Sequence, residues 1–160
     1  LPAIDVDGDE AFVATLFERL QDVETDYTIF FRNLARVPLD EADDDALLAP
    51  LAAAYYAEPD ATQRSTMAAW LHDYVARAKK EDPSGRIATM NAANPKYVPR
   101  NWLAQQAIDA MAAGDASVLE RLMRVLERPY DEQPAEEDLA VRRPEWARHK
   151  AGCSALSCSS

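Results

Sequence analysis

The chain has 160 residues and a formal net charge of −11, from 17 Lys and Arg against 28 Asp and Glu. No apolar run approaches the ~18 residues of a membrane-spanning helix, and two cysteines are too few for a disulfide scaffold. A hydrophobic share of 48% excludes global disorder, and the acidic balance argues against nucleic-acid binding, which shows a basic patch or stripe.

The charge is uneven. Residues 1–60 carry 3 basic and 15 acidic side chains, and residues 61–160 carry 14 and 13. The acidic part reads as a solvated face, or as a surface that meets a basic partner. Alanine occurs 30 times and glycine 4 times. Strand-like alternation is nearly absent, so the fold class is all-α, with about six amphipathic helices and an irregular C-terminal tail.

Taken in chain order, Phe12, Val13, Leu16, Phe17 and Leu20 share one face of a first helix. Tyr27, Phe30, Phe31 and Leu34 form a second, short aromatic face, with Asp26 or Thr25 as its cap and Val37-Pro38 as its end. A third helix is predicted from Asp40 to Tyr56, kinked or divided at Pro50, with Leu47, Leu48, Leu51 and Tyr55 inward. Met67, Trp70, Leu71, Tyr74 and Val75 mark the fourth and clearest helix, entered through the capping-box pair Asp60 and Gln63 and broken at Asp82-Pro83-Ser84-Gly85.

Residues 86–101 read as irregular. A fifth helix runs from about Asn101 to Ala113, with Leu103, Ala107, Ala110 and Met111 inward and Gly114 closing it. Ser117 and Glu120 are spaced as a capping box for a sixth, whose apolar positions are Val118, Leu119, Leu122, Val125 and Leu126; Pro129 stops it. One short helix is expected near Glu136 to Ala140, and Ala151 to Ser160 reads as a tail. The domain expectation is a helical bundle over 1–128 and a proline-rich segment with a flexible tail over 129–160.

Chemistry-bearing residues are few. Asp5-Val6-Asp7-Gly8-Asp9-Glu10 opens like a calcium loop, but the sixth and twelfth positions, Glu10 and Leu16, are not the required Gly and Glu. Carboxylates near a helix start are the better account. Asp43-Asp44-Asp45 reads as an exposed first helical turn, and His72 beside Trp70 and Tyr74 as structural. His149, Cys153 and Cys158 fall short of the four ligands of a zinc site. There is no glycine-rich phosphate loop, no Ser-His-Asp pattern and no HExxH, so no catalytic, cofactor-binding or metal residue is assigned in this chain. Cys153 and Cys158, in the tail, are candidate redox thiols.

Several stretches resemble one family. Asp26-Tyr27-Thr28-x-Phe30-Phe31-Arg32-x-Leu34, Met90-Asn91-x-x-Asn94-Pro95-Lys96-Tyr97-Val98-x-Arg100-Asn101, Leu103-Ala104-Gln105 with Ala107-Ile108, Pro129-Tyr130-Asp131-Glu132-Gln133-Pro134, Pro144-x-Trp146-Ala147 and Ser157-Cys158-Ser159-Ser160 appear in the order seen in the C-terminal part of the selenoprotein O family, the YdiU-type proteins. The motifs span most of residues 20–160, and they are specific jointly rather than singly.

The resemblance implies the C-terminal helical part of a protein-kinase-like fold that transfers AMP from ATP to protein hydroxyl groups, using Mg²⁺ or Mn²⁺. The catalytic and nucleotide-binding residues would lie upstream of this chain. A chain opening on Leu1 rather than methionine fits that expectation. The third-from-last position, Cys158 here, is selenocysteine in some members, and it implies redox control through a disulfide to the kinase-like part. Many such members have a cysteine two residues earlier, where this chain has Leu156. Pro99 stands where the family usually has an apolar residue.

The implied partners are the upstream kinase-like lobes and the protein substrates of AMPylation, with no nucleic acid and no membrane. The implied location is cytoplasmic, or mitochondrial in a eukaryote. From the residues alone, Arg32 and Arg100 could pair with carboxylates or bind phosphate, with ion pairs the better account, and Asn91 and Asn94 read as satisfying backbone groups. The alternative reading is an autonomous helical interaction module with no enzymatic role.

Overall fold

A computed structural model describes residues 6–40, 43–80 and 84–153. Among these, the chain forms α1 (Val6–Asp22), α2 (Tyr27–Leu34), α3 (Asp44–Leu48), α4 (Ala61–Ala78), α5 (Arg86–Ala93), α6 (Asn101–Ala112) and α7 (Ser117–Leu126), with 3-10 helices at Ala49–Ala54, Pro134–Ala140 and Glu145–Ala147. The fold is all-α, as the alanine-rich, glycine-poor composition predicts. The described residues form two compact units, Leu1–Asn94 and Pro95–Ser160. The proline-rich segment after Pro129 belongs to the second unit, together with α6 and α7.

In the first unit, the core is built from the ridge Phe12, Leu16 and Leu20 of α1, from Phe30 and Leu34 of α2, and from Met67, Trp70, Leu71, Tyr74 and Val75 of α4. Only part of the face predicted for α1 is inside. Positions spaced by four form the buried ridge, whereas Val13 and Phe17, ~100° further round, stay 41% exposed. Phe12 stacks on Trp70 with ring centroids 4.6 Å apart, and the Trp70 indole N–H donates to the Phe12 carbonyl at 3.0 Å. Arg77 lies over the Phe12 ring and pairs with Asp9 at 2.6 Å. Gly8, Asp9 and Glu10 are thus helical, in the first turns of α1, as expected for carboxylates near a helix start.

Asp26 is the cap of α2, accepting from the Ile29 N–H at 3.1 Å. Pro50 divides the third helix as predicted: α3 ends at Leu48 and the chain continues as a 3-10 helix with Pro50 in its first turn. Leu47, Leu48, Leu51 and Tyr55 are all buried. An antiparallel bridge between Thr25 and Tyr55 links the lead-in to α2 with the end of the 3-10 helix. The Asp60–Gln63 capping box is present in full, with bonds of 2.8 and 2.9 Å, and the Gln63 amide also donates to the Asp22 carbonyl.

Residues 86–93 are helical, not irregular. The flanking breakers, Gly85 and Asn94-Pro95, are the strongest local signals in this stretch. Those breakers are the two ends of an eight-residue helix that buries no side chain fully, so it shows no amphipathic stripe to read.

In the second unit, Tyr97, Trp102, Leu103, Leu122, Val125, Leu139, Ala147 and Cys153 form the core. Gly114 closes α6 at φ 85°, with its N–H on the Met111 carbonyl and the Asp115 N–H on the Ala110 carbonyl, a Schellman ending. Three expectations fail here. Met111 is exposed while Trp102 is buried. Ser117 is the first helical residue rather than the cap, because Asp115 reaches two positions ahead and accepts from the Ser117 N–H at 2.9 Å. Leu119 is also exposed; Leu122 and Val125 carry the inner face of α7.

Candidate functional site

Motifs far apart in sequence meet within each unit. In the first, α2 aims the buried Arg32 at the end of α5, where its guanidinium donates to the carbonyls of Asn91 and Asn94, both at 2.8 Å. These carbonyls lie at the C-terminus of α5, where helix carbonyls lack intrahelical partners and carry partial negative charge. The Asn94 side chain donates to the Met90 carbonyl at 2.8 Å, so it satisfies backbone as expected. These carbonyl bonds stand in addition to the ion-pair reading of Arg32.

Arg86 is a second hub, which the sequence reading did not single out. It donates to the Val37 carbonyl and the Tyr74 hydroxyl, each at 2.8 Å. Burial raises the Tyr74 phenol above its ordinary value, with Arg86 acting against that rise. Burial likewise pushes the Tyr55 phenol up to about 12, with Arg64 acting against it. Arg86 and Tyr74 border a cavity of about 570 Å³ whose other walls include Phe12, Val13, Phe17, Phe31 and Met90. Its lining is mainly apolar, and the Arg86 guanidinium is spent on protein groups.

In the second unit, the N–H groups of Lys96 and Tyr97 both donate to the Pro129 carbonyl, at 2.8 and 3.1 Å. The Lys96 ammonium pairs with Glu132 at 2.6 Å and Glu137 at 2.5 Å, and the Tyr97 hydroxyl donates to the Gln133 carbonyl at 2.9 Å. Burial draws the Lys96 ammonium down, but the hydrogen bonds to Glu132 and Glu137 outweigh it and the net shift is upward. Arg121 pairs with Glu136 and Asp138, and its bonds hold the Asp138 carboxyl below the usual carboxylate range. These contacts bridge as many as 41 positions, so no local spacing announces them.

Each carboxylate of the Asp43-Asp44-Asp45 run has its own structural task. Asp43 caps α3, Asp44 meets His72 at 2.7 Å, and Asp45 meets Arg64 at 2.6 Å. His149 is exposed. Cys153 is a free thiol, 5% exposed, in the core of the second unit rather than on an open tail. Cys158 lies outside the described residues. Among the described residues, no group of three or more His, Cys, Asp and Glu is placed to hold a metal ion, and no helix is long and apolar enough to cross a membrane.

The geometry defines a helix-built protein segment whose sequence motifs serve to lock chain crossings. Comparison with known proteins gives its family. The family model described as "Protein adenylyltransferase SelO" matches residues 2–127. A protein of Nitrosospira multiformis named "Protein nucleotidyltransferase YdiU" is 46% identical, over all of this chain and 33% of its own length. Proteins of the same name from Aromatoleum aromaticum and Rhodopirellula baltica are 47% and 45% identical, over 96% and 95% of this chain and 29% and 31% of their own lengths. The chain belongs to the SelO family, and it spans about a third of the length of these curated relatives.

Proposed function

We propose that this chain is the C-terminal helical portion of a kinase-like protein adenylyltransferase. Family membership supports this reading, together with the use of the family-like motifs as internal locks rather than as a reaction centre. The reaction moves AMP from ATP to a protein Ser, Thr or Tyr hydroxyl. The oxygen bonds to the α-phosphorus, the bond to the β-phosphate bridge breaks, pyrophosphate leaves and the hydroxyl proton is released. Among the described residues, no group of three or more His, Cys, Asp and Glu is placed to hold Mg²⁺ or Mn²⁺ beside a nucleotide's phosphates. Both are assigned to the upstream part of the full-length protein, and no step is routed through this chain.

Cys158 is the redox thiol in this reading. It pairs with a cysteine of the kinase-like part, and the two thiols give up two protons and two electrons to a disulfide oxidant such as glutathione disulfide. The experiment is nucleotide transfer by the full-length protein to a protein acceptor, at graded ratios of glutathione to its disulfide. The expected result is label on the acceptor and a redox response that Cys158→Ser abolishes. No transfer refutes the enzymatic reading; an unchanged response in Cys158→Ser refutes the role of the thiol.

A further inference from the structure

The first unit presents an apolar surface that its described residues leave open. Val13 and Phe17 lie one turn apart on α1 and are each 41% exposed, as is Tyr27 at the start of α2. Phe17 leans on Tyr27 and Phe31, with ring centroids 6.2 and 6.5 Å apart. Val13, Phe17 and Phe31 line the cavity of about 570 Å³, together with Trp70 and Met90. Solvated rings beside an apolar cavity of this size are costly in water, and such a patch marks an interaction surface.

We infer that this groove seats an apolar segment of the part of the full-length polypeptide that precedes this chain. The inference rests on the functional reading above and names the surface through which the two parts join. Length supplies the occupant: the relatives are about three times as long as the region they share with this chain, which matches their C-terminal part. The groove edge is α1, the first described helix, so a preceding segment reaches it without crossing the rest of the unit. Charge narrows the segment's chemistry. Glu10 and Glu18 stand exposed along α1 beside Val13 and Phe17, within a 60-residue stretch of net charge −12. The occupant therefore carries Lys or Arg next to its apolar side chains.

The test is photo-crosslinking in the full-length protein carrying Phe17→p-benzoylphenylalanine. Val13→p-benzoylphenylalanine, one turn earlier on the same stripe, guards against a local effect of the first substitution. The expected product from both is an intramolecular link to a preceding apolar segment that bears Lys or Arg. A link to a second copy of the protein, a link to an acidic segment, or no link at all overturns the inference. Nucleotide transfer by the unsubstituted full-length protein is measured separately. Transfer without the link defeats the groove assignment alone, and the link without transfer defeats the functional reading alone.

Discussion

The guanidinium of Arg32 donates to the backbone carbonyl of Asn94 at 2.8 Å, across 62 positions of sequence. With the matching bond to Asn91, this fastens α2 to the end of α5 inside the first unit. Hydrogen bonds from a charged donor contribute about 1.5–3 kcal/mol each. Arg32→Met is therefore expected to destabilise the unit by about 3 kcal/mol, seen as a lower urea midpoint. Arg32→Lys, which keeps the charge but loses the planar fork, is expected to recover only part of this. An Arg32→Met midpoint equal to the parent's contradicts the lock.

Lys96 makes a corresponding lock in the second unit, but with half-exposed partners, Glu132 and Glu137. Solvent screening holds its worth to about 1 kcal/mol. Lys96→Met is expected to cost that much and to open the segment from Pro129 to Glu137 to limited proteolysis. Tyr97→Phe, which removes the bond to the Gln133 carbonyl, is expected to cost about 1 kcal/mol as well. Unchanged cleavage kinetics in Lys96→Met contradict the role given to the ammonium.

Two glycines separate backbone strain from crowding. Gly114 and Gly152 have φ of 85° and 84°, but a Cβ at Gly114 meets open space, whereas one at Gly152 falls 2.6 Å from the Gln105 side-chain oxygen. Each Gly→Ala change is expected to cost about 1 kcal/mol for the left-handed backbone. Gly152→Ala adds a smaller increment, because Gln105 must give up its 2.8 Å bond to Asp109 to move aside. Gln105→Ala is expected to cancel that increment in a double-mutant cycle. Equal losses at the two glycines contradict the crowding.

Tyr55 gives a pH signature. Its folded value, about 12, lies above the ordinary 10.0 because burial disfavours the phenolate. A raised folded value means the stabilisation is whole below the unfolded value of 10.0 and is lost as pH climbs through about 12. Spectrophotometric titration is expected to show a late tyrosinate step that Tyr55→Phe removes. A Tyr55→Phe curve that loses amplitude near the ordinary 10.0 and keeps the late step whole contradicts the burial of the phenol.

The sequence disclosed the helices where apolar spacing and caps agreed. Met67, Trp70, Leu71, Tyr74 and Val75 all point inward, Asp60 and Gln63 form their box, and Gly114 ends α6. It failed where stability comes from distant polar contacts. The α5 helix has no buried stripe, and Arg86 finds Val37 and Tyr74 only in three dimensions. The same limit hid the Lys96 lock, although its residues lay inside the motifs that carried the family resemblance. Cys153 misled for a different reason: its small polar neighbours read as tail, yet it packs in a core made by residues as distant as Tyr97.

We propose, as above, that the nucleotide chemistry of the full-length protein lies upstream of this chain. The most direct measurement gives ATP labelled at the α-phosphate, with Mg²⁺ or Mn²⁺, to the full-length protein and to the 160-residue chain side by side. The account predicts labelled acceptor protein and released pyrophosphate from the full-length protein, and no labelled product from the 160-residue chain. Label transferred by the 160-residue chain alone, or no transfer by the full-length protein, would contradict it.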